Sequence, residues 1–293
     1  MAHRIVDTHI HFWDPRGRHH DWLAEVPQLN RRLGPEDYDA GHHELGGFVF
    51  VQADCRDEEA LDEARWVAEL AVAFPLIRGI VAYAPLHKGG AAERELDALA
   101  DEPLVVGVRR LLQDRPVEEI TDARFVEGVR LLAERRLRFD ICIRHAQLPA
   151  AAELVEACPD TVFVLDHLGK PPVAAAALDP WREQMTRLAA HPNVACKLSG
   201  LSTEAAPGWQ DADVVPYLEH ALEVFGPKRC MTGSDWPVAT LATTVERWFD
   251  IVVELTAQLS AADQAAVLAD TAEAIYGLAP ASDPGAESAR TPG

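Results

Sequence analysis

The segment 123–165, ARFVEGVRLLAERRLRFDICIRHAQLPAAAELVEACPDTVFVL, sets out the architecture in miniature. Ala123–Arg135 spaces its apolar residues as one face of a helix. Arg138–Ile143 is then almost continuously apolar, as suits a strand covered on both sides. Ala150–Ala157 returns to helical spacing, and Thr161–Leu165 is again a short, continuous apolar run. A helix between two such strands is the crossover unit of a parallel sheet. The same kind of run recurs at Ile5–Ile10, Phe48–Ala53, Ile77–Ala84, Leu104–Leu111, Val194–Leu198 and Cys230–Thr232. Between them, Glu58–Phe74 puts Leu61, Ala64, Val67, Ala68 and Ala71 on one face. Trp181–Ala190, Val214–Val224 and Thr243–Leu259 follow the same spacing. Eight strands alternating with helices predict an α/β chain closed into a single (β/α)8 TIM barrel over residues 1–278. The 293 residues suit this, since such barrels need about 250.

Two regions break the rhythm. Asp14–Glu44 has little periodicity and follows the first strand, so it is expected to lie over the barrel's catalytic end as a long loop or lid. The tail Ala279–Gly293, APASDPGAESARTPG, is small, polar and Pro-rich, a composition expected to be disordered. Lys and Arg total 27 against 47 Asp and Glu, for a net charge of −20. That field disfavours nucleic acid and anionic membranes as partners and leaves a small molecule as the expected one; a homo-oligomer stays open. The five cysteines, Cys55, Cys142, Cys158, Cys196 and Cys230, form no CxxC pair and read as buried thiols. The chain enters its first strand directly, without a leader, and has no run of 18 apolar residues, so a cytoplasmic location is expected.

Barrels of this kind carry function at the C-terminal ends of their strands. The first ends in Asp7-Thr8-His9-Ile10-His11. Two residues apart in a strand, His9 and His11 point to the same side, with Cα atoms about 6.6 Å apart, and both can converge on one ion or one substrate oxygen. The sixth ends in Asp166-His167-Leu168-Gly169-Lys170, a set of charges costly to bury without partners. The eighth ends in Gly233-Ser234-Asp235, where a carboxylate can bind metal or take a proton from water; Ser234 would suit a helix cap. On the fourth, Arg109 and Arg110 point to opposite sides, so one of them can reach the mouth and the other is left to an ion pair. The fifth ends in Arg144-His145. On the seventh, Lys197 reads equally as a substrate anchor or as a structural residue. In the lid, Trp13 and Trp22 suit either packing or the face of a sugar. The sequence contains no GxSxG elbow, phosphate loop or dinucleotide fingerprint.

Taken together and in order, DTHIHFWD (7–14), GVRRLLQD (107–114), FVLDHLGKP (163–171), KLSGL (197–201) and GSDWPV (233–238) resemble the lactonase branch of the amidohydrolase superfamily. The resemblance runs from about Asp7 to about Leu278. It implies hydrolysis of a small lactone, either a sugar aldonolactone or an acidic, muconolactone-like ring, with water as nucleophile. On it, Asp235 is the base, His167 helps hold the substrate carbonyl, and Arg109 is a substrate contact, with Lys197, Trp13 and Arg144 as further candidates. The cofactor expectation is either none or one divalent ion such as zinc on His9, His11 and Asp235, joined by His145 or His167. The arginines of the fourth strand cannot bridge two metals. Two other readings remain: a metal-dependent decarboxylase of the same superfamily, and a non-catalytic barrel that binds a small molecule.

Overall fold

The computed structural model describes residues 3–279. The expected disorder of the tail therefore falls, beyond Ala279, outside the described residues. Eight parallel strands form one sheet in sequential order: β1 Arg4–Ile10, β2 Glu44–Val51, β3 Ile77–Tyr83, β4 Val105–Leu111, β5 Arg138–Cys142, β6 Phe163–Leu165, β7 Val194–Leu198 and β8 Cys230–Thr232. The barrel closes between its ends. The His11 N–H donates to the Trp236 carbonyl and the Asp235 N–H to that of His9, both at 2.8 Å. The Thr8 hydroxyl donates to the Thr232 carbonyl at 2.6 Å. Gly233 permits this closure, because a Cβ there would stand 2.9 Å from the Cβ of His9.

The outer layer comprises α1 Ala60–Ala73, α2 Glu93–Ala100, α3 Ala123–Glu134, α4 Leu148–Ala157, α5 Trp181–Ala189, α7 Asp211–Phe225 and α8 Val245–Thr256, while the single turn α6 Leu201–Glu204 lies at the C-terminal end of β7 against the loops that follow β6 and β8. The apolar faces of the outer layer pack on the outside of the sheet in one large core. Inside the barrel a second, smaller core gathers Val6, Val49, Val51, Val81, Val164 and Met231. The C-terminal segment closes the bottom of that interior. It runs through α9 Ala261–Ala265, a π-helical turn Ala266–Asp270 and α10 Thr271–Tyr276. Ala269, Ala272 and Tyr276 reach into the inner core. Neither α2 nor this segment stands out as a helix in the sequence: α2 is eight residues long with two buried leucines, and the plug is broken into three short turns.

The loop after β1 lies where the pattern places it. It contains short 3-10 turns at Asp21–Glu25 and Pro35–Asp37, and Trp13 pairs with Leu33 across its neck. Trp13 is fully buried, and its indole N–H donates to the Leu29 carbonyl at 3.1 Å. Its partner Trp22 packs edge-on at 5.2 Å between ring centroids and turns toward the barrel mouth. Trp13 thus fastens the loop's interior and is not on a substrate-facing surface.

Candidate active site

A cavity of about 410 Å3 opens at the C-terminal ends of the strands; His11, His167 and Asp235 line it together with Trp22, Arg109 and Lys170. Asp235 is the hub. Its Oδ1 lies 3.5 Å from His11 Nε2, 3.7 Å from His9 Nε2 and 3.9 Å from His167 Nε2. It is nine-tenths buried or more and takes a left-handed backbone, φ 63°. Such a conformation costs a non-glycine residue about 1–3 kcal/mol and persists where the surroundings enforce it. Here Asp7 does so. Fully buried itself, it accepts from the Ser234 N–H at 2.8 Å, the Ser234 hydroxyl at 2.5 Å and the Tyr38 hydroxyl at 2.8 Å. Ser234 in turn accepts from the Trp236 N–H at 3.0 Å. The serine thus ties the β8 loop to β1 and does not cap a helix.

The β6 end is equally constrained. His167, Leu168 and Lys170 all have φ between 50° and 54°. The Trp181 indole N–H donates to the Leu168 carbonyl at 2.9 Å, and His145 Nδ1 lies 3.0 Å from the Lys170 carbonyl. These contacts hold the tight turn that aims His167 at Asp235. Gly200 of the KLSGL stretch has φ +68°, and a Cβ on it would run into the His167 ring, so that glycine makes room for the imidazole.

Each imidazole of the trio has its second nitrogen occupied. His11 Nδ1 faces the Val51 carbonyl at 2.7 Å, His167 Nδ1 meets the Ser199 hydroxyl at 2.9 Å, and His9 Nδ1 lies 3.3 Å from Lys197 Nζ and 3.3 Å from Asp166 Oδ1. Histidines that bind metals are held in this way. His9, His11 and Asp235 present ligand atoms within 4.8 Å of one another. This donor set fits one divalent cation. Two neighbours oppose it: Arg109 Nη1 stands 3.3 Å from His9 Nε2 and competes for that lone pair, and Lys197 Nζ, 3.3 Å from Nδ1, donates in a way that leaves the ring hydrogen on Nε2.

Burial, reinforced by Lys197 and other nearby positive charge, pushes His9 well below the usual histidine range. Burial does the same to His167, over the opposing pull of Asp235. For Asp235 burial acts upward, but His167, His11 and Lys170 more than offset it and hold the carboxyl below the ordinary range. An ionised carboxylate among imidazoles can accept a proton from water, and it can also ligate a metal.

The other residues singled out from the sequence divide. Arg109 lines the cavity; its Nη2 donates to the Gln52 carbonyl at 2.6 Å, and its Nε has no hydrogen-bond partner among the described residues. Arg110, on the opposite side of the strand, pairs with Glu119 at 2.6 Å and also contributes to the lining of the cavity. Lys197 is not at the cavity. It is fully buried inside the barrel, 2.5 Å from Asp140 and 3.0 Å from Asp166. Those two carboxylates, and the Tyr276 hydroxyl that donates to Asp140 at 2.8 Å, make it part of a closed charge cluster under the site. Arg144 pairs with Asp114 at 2.9 Å on the exposed rim, and His145 is spent on the Lys170 carbonyl, away from the His9–His11–Asp235 group. Sequence reasoning passed over Lys170, Asp140 and Asp166 as individual positions. The available signal for Asp140 was an acid in the middle of an apolar strand, FDICI.

Residues 6–278 match the family described as Amidohydrolase. The chain is 34% identical to an L-fucono-1,5-lactonase of Burkholderia multivorans, covering 93% of this chain and 96% of that protein. It is 32% identical to the L-fucono-1,5-lactonase of Burkholderia ambifaria, covering 81% of each. Among solved structures, an amidohydrolase from Burkholderia multivorans with bound zinc superposes with a TM-score of 0.83 at 33% identity, covering 94% of this chain and all of that one.

Proposed function

The chain belongs to the amidohydrolase family, and from that premise we propose that it opens a small, neutral sugar lactone to its hydroxy acid, with Asp235 as the base that activates water. One observation carries the reading. A carboxylate held ionised by its neighbours stands among three imidazoles at the bottom of a cavity large enough for a single sugar ring. The two fucono-lactonase relatives support it from outside.

In the reaction, Asp235 takes a proton from water as the oxygen attacks the lactone carbonyl. The tetrahedral oxyanion is met by Arg109 and by His167, whose Ser199 partner can either accept from or donate to Nδ1 and so lets Nε2 carry a hydrogen toward the substrate. The carbonyl then re-forms, the bond to the ring oxygen breaks, and the proton on Asp235 passes to that oxygen. The product acid ionises and releases one proton to solution. Should a divalent ion be bound by His9, His11 and Asp235, it would supply Lewis-acid polarisation of the carbonyl.

The charges around the cavity favour a neutral ring over an acidic one. Of the cations that line the cavity, Arg109 lies 3.4 Å from Asp166, Arg110 pairs with Glu119 at 2.6 Å and Lys170 lies 3.6 Å from Glu204. Asp54, Asp57 and Asp114 also line the cavity, where carboxylates accept from hydroxyls and repel anions.

The test is a pH-indicator assay on a panel of aldonolactones and acidic lactones, corrected for spontaneous opening and run with and without a chelator. Wild-type protein is expected to release acid fastest from an aldonolactone. Asp235→Asn should lower kcat/KM by about 100- to 10,000-fold, the worth of general acid–base help, with an unchanged circular dichroism spectrum. Wild-type rates in Asp235→Asn would remove the base assignment. Carbon dioxide release from unsaturated acids, with no lactone opened, would replace the proposal with a decarboxylase.

A further inference from the structure

Away from the active site, the last turn of the lid loop meets α8. His42 and His43 directly precede β2, and Glu246 and Asp250 lie four residues apart on α8, hence on one face of it. Asp250 Oδ1 is 3.0 Å from His43 Nε2 and 3.4 Å from His42 Nε2. The two rings lie 4.2 Å apart and tilted by 32°, presenting the same nitrogen to the same oxygen. Ligands about 2.1 Å from a common tetrahedral ion are about 3.4 Å from each other, so these separations are those of a ligand set. His42 Nδ1 is held by Glu246 Oε1 at 2.8 Å. A carboxylate on the far nitrogen is how metal-binding histidines are oriented. The His43 side chain is only 7% exposed, so its position is fixed by packing.

We propose that His42, His43 and Asp250, with Glu246 orienting His42, form a second metal site that takes a divalent transition ion such as Zn2+ and clamps the return leg of the lid loop to α8.

Charge supports the assignment. Two like charges at i and i+4 destabilise a helix face by a few tenths of a kcal/mol, and a dication beside them removes that repulsion. Three protein ligands leave a fourth position for water, since Asp250 is half exposed. The site also differs from the active centre in its consequence. An ion here reaches no cavity-lining histidine; it fixes the loop that carries Trp22.

The experiment is calorimetric titration of metal-stripped, full-length protein with Zn2+ at pH 7.5, comparing wild type with His42→Ala and Asp250→Asn. His42 is exposed, so its loss leaves the fold in place. Wild type is expected to bind one equivalent more than either variant, or to bind that equivalent at least tenfold more tightly. Zinc should also slow hydrogen exchange of the 40–43 amides in wild type and in Asp235→Asn, but not in His42→Ala. Equal stoichiometry and affinity in all three proteins would overturn the site. So would loss in His42→Ala alone with Asp250→Asn unaffected, since that means one surface histidine binding by itself.

Discussion

Asp235 owes its chemistry to residues that never touch substrate. Asp7 fixes the strained β8 loop, Ser199 sets the His167 ring, and Gly200 gives that ring its space. The glycine offers the sharpest single-residue test. Gly200→Ala adds a methyl that runs into the His167 imidazole, at a backbone φ of +68° that alanine adopts at a cost of about 1 kcal/mol. The expected result is a folded protein, destabilised by about 1–3 kcal/mol, whose kcat falls at least tenfold as His167 is displaced, while KM changes less. Urea unfolding and steady-state kinetics check both parts. A variant that loses stability but keeps kcat would mean that His167 is not where the carbonyl reacts. At this scale the sequence is half legible. His9, His11, His167 and Asp235 stand at strand ends and could be picked out by position. Lys197 could not be placed, because an ammonium inside a strand looks the same whether it serves substrate or a buried carboxylate. Its partners Asp140, on β5, and Asp166, just past the end of β6, lie 57 and 31 residues away in the chain, so only the closed barrel brings the three together.

Elements with a strong period were legible, and those without one were not. Seven of the eight strands follow the apolar runs to within a residue or two, because being covered on both faces leaves no room for polar positions, while β2 starts at Glu44, four residues ahead of its run at Phe48. The C-terminal plug was invisible as an element: three short turns show too few periods, and its role lies in filling the bottom of the barrel. What fastens it is a pair of arginines from the strands. Arg4 and Arg78 donate to Glu273 of α10 at 2.7 Å and 2.8 Å, and Arg78 also reaches the Ala279 carbonyl. The hydrogen bond from Arg4, then that from Arg78, hold the Glu273 carboxyl below its ordinary range. A depressed acid contributes stability that is present above its unfolded value, near 4.3, and is lost as pH falls through the lower folded value. Glu273→Gln should therefore cost about 1–3 kcal/mol at neutral pH, after allowance for the part-exposed Arg4. The gap between variant and wild type should hold constant down to about pH 5 and close below pH 4. Urea midpoints across that range decide it; a gap that widens toward acid would mean that the carboxyl is not held ionised by these arginines.

For the whole molecule the governing quantity is the net charge of −20, carried around a cavity whose own cations are largely paired. A field of this sign repels an anionic substrate on approach and leaves a neutral one untouched. The difference appears in salt. At about 10 mM ionic strength the screening length is about 30 Å, comparable to the barrel itself, and at about 150 mM it is about 8 Å. If the substrate is a neutral aldonolactone, kcat/KM should be flat across that range. An acidic lactone tried on the same protein should react slowly at low salt and gain severalfold as the repulsion is screened. The opposite slope for the acidic ring, with rates falling as salt is added, would mean that Arg109 and Lys170 create a positive field inside the mouth strong enough to reverse the global one. The preference for a neutral sugar lactone would then give way to an anionic substrate, while the role of Asp235 would stand, because it depends on local contacts that lie within a single screening length.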